Sequence, residues 1–469
     1  MYTHLIVPDG VAIRNFFCSS FLTRALALGP VAVWHSLPDA IVAPYNTPGV
    51  VWHQLPAARE GALERTLRYA KVYVQLAWRA DEDAGRMLLE YAARAPRNPA
   101  NQLIHGAALT LGRRMASARG AARLDAWHAA VASRSAAAMA ATAALRADRP
   151  DVLLCAHQRA PGAVPLMLAA RKLGIPTATF IYSWDNLPKG RMAVHADHYL
   201  VWSERMAAEM ARYYPEVARG RVHVVGTPQF EPYFDPALRW DRERFCAMHG
   251  LDAARPIVCF SGDDLTTSPH DPLFLRDLAE VLLTLPERPQ LLFRRCPADL
   301  SRRYDAVLAA HPEIVRSEPR WAAPSDNWTE TVPLRDDGAL LANLARHCDL
   351  VVNLGSTMAI DFAIFDKPAL YVAYNPVGAP AEYDIARTYA LPHLRVFDEH
   401  PAVYWARAAV DLAPMVRRAL AQPSELAAAR RSLICELAAL PLERASERMM
   451  TTLDSIRSAN APATYPVSM

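Results

Sequence analysis

DLVVNLGSTMAIDFAIFDKPALYVAYNP, from Asp349 to Pro376, sets an apolar run, a small polar loop, a helix-length segment and a second apolar run in direct succession. The order reads strand, loop, helix, strand. Leu350 to Asn353 is short and β-branched and leads into Gly355-Ser356-Thr357, while Met358 to Phe365 has helical apolar spacing and stops before Pro368. Both strands carry apolar side chains at successive positions, so helices are expected on both faces of a parallel sheet. In such a sheet the carboxyl ends of the strands and the amino end of the next helix converge on one crevice, where free backbone N–H groups favour an anion. Ser356 and Thr357 add hydroxyl donors, and Gly355 lets the backbone approach a bulky group. A phosphate is the expected guest, with a plain helix cap as the alternative.

The rest of the composition fits that frame. The chain has 469 residues, enough for two or more domains, and 52% hydrophobic residues exclude a disordered polymer. A formal net charge of +3 gives no support to a nucleic-acid partner. Seven cysteines, with no C-x-x-C pair, read as reduced thiols and place the chain in the cytoplasm. MYTHLIVPDG lacks the basic start and long apolar core of a signal peptide, and no apolar run reaches membrane-span length.

The opening HLIVPDGVAIRNFFCSSFLTRALAL is a second strand-loop-helix unit, with Leu5 to Val7 as strand and Asn15 to Leu28 as helix. Pro8 to Arg14 is then a loop at a strand's carboxyl end, bringing Asp9, Gly10 and Arg14 beside Asn15; the alternative is that Asp9 caps the helix and Arg14 pairs with it. Val31 to Trp34 reads as the next strand. From Ala57 to Arg149 strand character is lost and an Ala-, Leu- and Arg-rich helical insertion is expected. Its basic section Leu111 to Arg134, with Trp127, reads as a solvated face or as a peripheral membrane contact, and in either case lies away from the chemistry.

The strand rhythm returns at Val152 to Cys155, which ends in Ala156-His157-Gln158-Arg159, and at Thr177 to Tyr182, which ends in Ser183-Trp184-Asp185-Asn186. These polar clusters should leave the same sheet edge as Asp9. Pro228 to Pro236 is the linker candidate. Beyond it, Ile257 to Ser261 leads into Gly262-Asp263-Asp264, and Gln290 to Phe293 into Arg294-Arg295, where guanidinium groups could pair with phosphate oxygens. Tyr404 to Arg418 and Ser424 to Met450 read as helices, and Ser458 to Met469 as a frayed tail.

The succession strand, Arg-Arg, strand, helix, strand, Gly-Ser-Thr, helix, Lys-Pro, strand resembles the donor domain of the GT-B glycosyltransferase fold. The resemblance implies an α/β protein of two Rossmann-like domains facing across a cleft: an acceptor domain over residues 1–230 and a nucleotide-donor domain over 237–420. Residues 421–469 would form helices and a tail that pack back on the first domain. It also puts Ser356 and Thr357 on the donor's pyrophosphate and Asp361 on the ribose. NLGSTMAIDFAIFDKPALYV is similar as well to the matching segment of CDP-glycerol glycerophosphotransferases, in which the Arg294-Arg295 position assists phosphate binding. DGVAIRNF, SWDNLPKG, VWSERM and VVGTPQF look like motifs of bacterial glycosyltransferases of surface saccharides.

The expected activity is transfer of a sugar from a nucleotide-diphosphate donor to a cell-surface saccharide or lipid-linked acceptor. Gly355, Ser356, Thr357, Arg294 and Arg295 would neutralise the leaving diphosphate without a metal, since the α/β segments contain no Asp-x-Asp pair to hold one. No cofactor is expected beyond the nucleotide sugar as co-substrate. The base that takes the acceptor's proton is sought in Asp9 and Asp185, then His157, while Trp184 would stack on a sugar and Arg14, Asn15 and Asn186 would orient hydroxyls. Competing readings are a sugar-nucleotide 2-epimerase, a glycerophosphate-type transferase and an idle nucleotide-binding protein. P-loop, G-x-G-x-x-G, H-E-x-x-H and G-x-S-x-G motifs are missing.

Overall fold

HLIV at the amino terminus and VLLC after Asp151 become neighbours in space: β1 (Thr3–Val7) pairs in parallel with β4 (Val152–Cys155). The computed structural model describes residues 1–57, 59–79, 86, 88–90, 92, 98–323 and 330–460. Two units separate, one of Met1–Gln229 with Ala438–Met469, the other of Phe230–Leu437.

In the first unit β2 (Val31–His35), β3 (Val50–Gln54), β5 (Thr177–Phe180), β6 (His198–Val201) and β7 (Val222–Val224) complete a seven-stranded parallel sheet of order β3-β2-β1-β4-β5-β6-β7. The side chains of β1, β2, β4, β5 and β6 are buried throughout, as successive apolar residues require when helices cover both faces. Strand order reverses between β1 and β4, so the loops leaving those two strands flank the sheet's switch point.

Two local readings change. Val50–Gln54 is an edge strand whose side chains are half-exposed or exposed, and its mixed VVWHQ composition hides it from an apolar-run search. Gly10 to Arg14 is helical rather than loop: Asp9 caps a helix over Gly10–Phe17, and a second helix, Phe21–Leu28, follows at a bend of 66°. Ser19 marks the break, its Oγ donating to the Asn15 carbonyl at 2.7 Å in competition with the backbone ladder. Between β3 and β4 the chain runs through helices Ala62–Trp78, Pro99–Arg114, Ala118–Ala132 and Ala136–Ala147. After Ala438 it stays with this unit: the Ala439 N–H donates to the Trp202 carbonyl at 2.8 Å, and helix Ala445–Asn460 lies along Phe21–Leu28.

In the second unit β8 (Ile257–Ser261), β9 (Gln290–Arg294) and β10 (Val315–Arg316) join β13 (Leu350–Asn353), β14 (Ala369–Val372) and β15 (Tyr404–Ala406) in the parallel order β10-β9-β8-β13-β14-β15. A two-stranded antiparallel ribbon, β11 (Trp321–Ala322) and β12 (Val332–Pro333), stands apart from it. Phe260, Phe274, Leu278, Leu350, Val352, Leu370 and Val416 share its core, each contributing about 1.5–3 kcal/mol by leaving water. The helix expected from Tyr404 is corrected: Tyr404–Ala406 pairs with Leu370–Val372, buried at alternate positions, and the helix begins at Leu412. Among the described residues no single helix is long and apolar enough to cross a membrane. Positions 461–469 of the tail lie outside the described residues.

Candidate functional site

Asp9 leaves β1 in extended conformation, φ −158° and ψ 174°, which turns its carboxylate toward the helix it precedes. Its Oδ1 accepts from the Ala12 N–H at 2.9 Å, and its Oδ2 lies 2.5 Å from Nδ1 of His157, two residues beyond β4. Both residues stand at the switch point. A carboxylate facing Nδ1 holds the proton there and leaves the lone pair on Nε2. Nε2 makes no hydrogen bond among the described residues. The Tyr182 ring packs against the imidazole at 4.0 Å between centroids, and burial with the neighbouring Asp185 charge pushes the Tyr182 phenol above its ordinary range.

At the end of β5, Asp185 accepts from Ser183 Oγ at 2.6 Å and Asn186 Nδ2 at 3.0 Å and forms an ion pair with Lys189. Asn186 Oδ1 in turn accepts from Arg159 Nη1 at 3.1 Å. This reorders the candidate bases. Both oxygens of Asp9 are engaged and Asp185 is neutralised by Lys189, whereas His157, placed third by the sequence, keeps an open nitrogen.

Other first-unit placements are corrected too. Arg14 does not pair with Asp9; its Nε donates to Asn15 Oδ1 at 3.2 Å and its Nη2 to Gln229 Oε1 at 2.8 Å. Asn15 is 0% exposed and Trp184 4%, so neither offers a face to an incoming sugar. Gln229 and Lys189 were missed as site neighbours, although both lie inside the quoted VVGTPQF and SWDNLPKG stretches.

The second unit's switch point lies between β8 and β13, which places Gly355-Ser356-Thr357 and Gly262-Asp263-Asp264 on adjacent strand ends. Gly355 has φ +63°, and a Cβ there would meet Leu394 Cδ1 at 3.1 Å. The Ser356 N–H donates to Asn353 Oδ1 at 3.1 Å and the Ser356 carbonyl accepts from Tyr371 Oη at 3.1 Å, which fixes the loop from below. Of the two residues that could cap the helix, Thr357 is exposed and makes no side-chain cap, whereas Ser356 Oγ accepts from the Met358 N–H at 3.5 Å.

The basic and acidic residues assigned to the donor are held inside this unit. Arg294 is 4% exposed and its Nη2 binds both oxygens of Asp337 at 3.0 and 3.2 Å. Arg295 Nη1 donates to the Ser301 carbonyl at 2.6 Å. Asp361 is buried and its Oδ1 accepts from Tyr233 Oη at 2.6 Å. The arginine pair therefore serves the interior at Arg294, and Asp361 is engaged by a phenol rather than open to a ribose.

Among the described residues two clusters offer three metal-ligand atoms within 4.8 Å of one another, Glu60 with Glu64 and His128, and Asp125 with His195 and Glu216. The chain's own cations already serve both: Arg68 binds Glu60 with two nitrogens, at 2.6 and 2.7 Å, and Arg191 bridges Asp125 and Glu216.

No protein-family model matches the chain, and no curated protein matches it. Solved structures do. The UDP complex of MnaA from Staphylococcus aureus superposes with a TM-score of 0.53 at 11% identity, covering 100% of this chain and 99% of that one. UDP-GlcNAc 2-epimerase from Methanocaldococcus jannaschii gives 0.52 at 12% identity, covering 97% and 100%. A glycosyltransferase from Rickettsia africae gives 0.49 at 12% identity, covering 97% and 98%. With seven- and six-stranded parallel sheets in its two units, the chain has the GT-B fold.

Proposed function

We propose that this chain is a glycosyltransferase that moves a sugar from a nucleotide-diphosphate donor to a surface-saccharide or lipid-linked acceptor, without a metal or other cofactor. The observation that carries the reading is the Asp9–His157 pair, 2.5 Å apart at the switch point with Nε2 open. As the acceptor oxygen forms its bond to the anomeric carbon, Nε2 takes the hydroxyl proton, and the carboxylate of Asp9 stabilises the imidazolium that results. The bond from the anomeric carbon to the diphosphate breaks, and its electron pair leaves on the phosphate oxygen. The loop Gly355-Ser356-Thr357 is assigned to that diphosphate, by its place at the second switch point and its hydroxyl groups.

The same dyad could instead withdraw the proton at C2 of a nucleotide sugar, which is the epimerase reading. The resemblance to glycerophosphotransferases rests on the motif from Asn353 to Val372 and on the position of Arg294-Arg295. Incubation with UDP-, GDP-, CDP- and dTDP-linked compounds in D2O separates the three. Nucleoside diphosphate release without deuterium at C2 supports the transferase, deuterium at C2 of recovered donor supports the epimerase, and nucleoside monophosphate release from a CDP-alcohol supports the glycerophosphate route. The reading places the enzyme in the cytoplasm, with membrane contact through the basic helix that presents Trp127, itself 50% exposed.

A further inference from the structure

The helices between β3 and β4 do more than decorate the first unit. Ala62–Trp78 and Pro99–Arg114 enclose, with Arg159 and Met192-Ala193, a cavity of about 240 Å³. That lies just under the roughly 300–1,000 Å³ of drug-sized ligand pockets, and is room for one sugar ring rather than a chain. One wall is aromatic and rigid. The rings of Tyr69 and His105 lie 3.8 Å apart, and Tyr73 Oη is 2.8 Å from His105 Nδ1. Val72, Ala92, Met192 and Ala193 add apolar lining.

Charge decides what the cavity takes. Among the described residues three guanidinium groups line it, and two are neutralised by the chain: Arg68 by Glu60, and Arg191 by Asp125 and Glu216. Arg159 is different. Its hydrogen-bond partner is the amide oxygen of Asn186, it forms no ion pair with a carboxylate among the described residues, and the nearby Asp185 charge is already matched by Lys189. A half-buried guanidinium without a counter-ion is a place for a ligand anion. The aromatic wall suits the C–H face of a pyranose.

We propose that this cavity is the acceptor subsite and takes a single pyranose carrying a carboxylate or a phosphate, its anion on Arg159 and its ring against Tyr69 and His105. The assignment of the occupant as acceptor rests on the transferase reading. Asn186 supplies the connection to the chemistry: it binds Arg159 through Oδ1 and Asp185 through Nδ2, so an occupant of the cavity adjoins the strand-end cluster at β5.

The test is saturation-transfer NMR titration of the full chain with methyl β-glucuronide, glucose 6-phosphate and neutral methyl β-glucoside. At least one of the two anions should bind about tenfold more tightly than the neutral glycoside, and which one does so identifies the charged group. Arg159→Gln should remove that margin, Arg159→Lys should keep part of it, and Tyr69→Ala should weaken all three probes by about tenfold. No binding by any probe, a neutral preference, or variants that bind like the parent would each overturn the subsite. Melting curves of every variant verify folding. Nucleoside diphosphate binding, assigned to the other unit, is measured on the same samples. Sugar binding without nucleotide binding leaves the cavity standing and removes the transferase reading, and the converse result removes the cavity alone.

Discussion

Asp9 and His157, 148 residues apart in the chain, meet at 2.5 Å because β1 and β4 are adjacent in the sheet. The same carboxylate caps the helix Gly10–Phe17 through Ala12, and substitution separates the two tasks. His157→Ala and Asp9→Asn should each lower transfer by about 10²–10⁴-fold with nucleotide affinity unchanged. Asp9→Asn retains a capping oxygen, whereas Asp9→Ala should cost about 1 kcal/mol of stability besides. Initial rates and melting curves check both halves. Full activity in His157→Ala removes it as the base, and equal stability of the two Asp9 variants removes the cap.

Arg294 should behave as a structural residue. Asp337, to which it is bound, also accepts from the Arg320 N–H at 2.7 Å and Trp321 Nε1 at 2.8 Å, so that carboxylate organises β9, the β11 ribbon and the helix Asp337–His347 together. Removing the guanidinium strands a buried charge. Arg294→Ala is expected to lose about 3–5 kcal/mol in urea unfolding. Arg295→Ala, whose half-buried side chain donates to the Ser301 carbonyl and pairs with the exposed Glu318 at 3.7 Å, should lose much less. A stable Arg294→Ala with selectively weakened diphosphate binding would return the residue to the donor site.

The contrast shows what was legible. Parallel strands announce themselves as short apolar runs ending in polar residues, so Asp9, His157, Asp185 and Gly355 could be placed at strand ends before any coordinates. Their pairing could not. That His157 faces Asp9 depends on strand order, and order is set by packing between segments more than a hundred residues apart. Burial was equally hidden: Trp184 and Asn15 look like site residues in a one-dimensional motif, and only the folded chain shows them enclosed. Val50–Gln54 was missed because a half-exposed strand lacks an apolar run, and Tyr404–Ala406 was read as helix because three residues of strand are too few to show a period of two. The sugar-sized cavity was missed for a related reason, since Tyr69 and His105 lie at helical spacing that reads as ordinary core.

Acid should destabilise the first unit through its buried histidines, of which His128 and His198 are two. Burial, with the Lys71 and Arg68 charges, lowers His128 to about 3, and burial with His223 and Arg221 lowers His198 to about 4, from an ordinary value of 6.5. Both are neutral when folded at a pH where the unfolded chain already takes up protons. Their contribution is therefore complete above pH 6.5 and is lost as pH falls toward 4, at about 1.4 kcal/mol per pH unit for each group. Urea midpoints measured at about pH 7.5 and about pH 5 should differ less in His128→Asn than in the parent. An identical pH dependence in the two proteins would mean that His128 ionises normally in the folded chain.

Gly355 tests the donor loop independently of the dyad. Its left-handed conformation costs an L residue about 1–2 kcal/mol, and a Cβ there would also press on Leu394 at 3.1 Å. Gly355→Ala should therefore lower the melting temperature and shift the Ser356 N–H away from Asn353. If the loop holds a diphosphate, at least one of UDP, GDP, CDP and dTDP should raise the parent's melting temperature by mass action, more than the matching nucleoside does. That rise should shrink in Gly355→Ala and persist in His157→Ala, because the loop and the dyad belong to different units. A rise of equal size for nucleoside and diphosphate would point to recognition of the base rather than the phosphates. No rise with any nucleotide would detach the donor from Gly355-Ser356-Thr357 and leave Asp9 and His157 without a leaving group to serve.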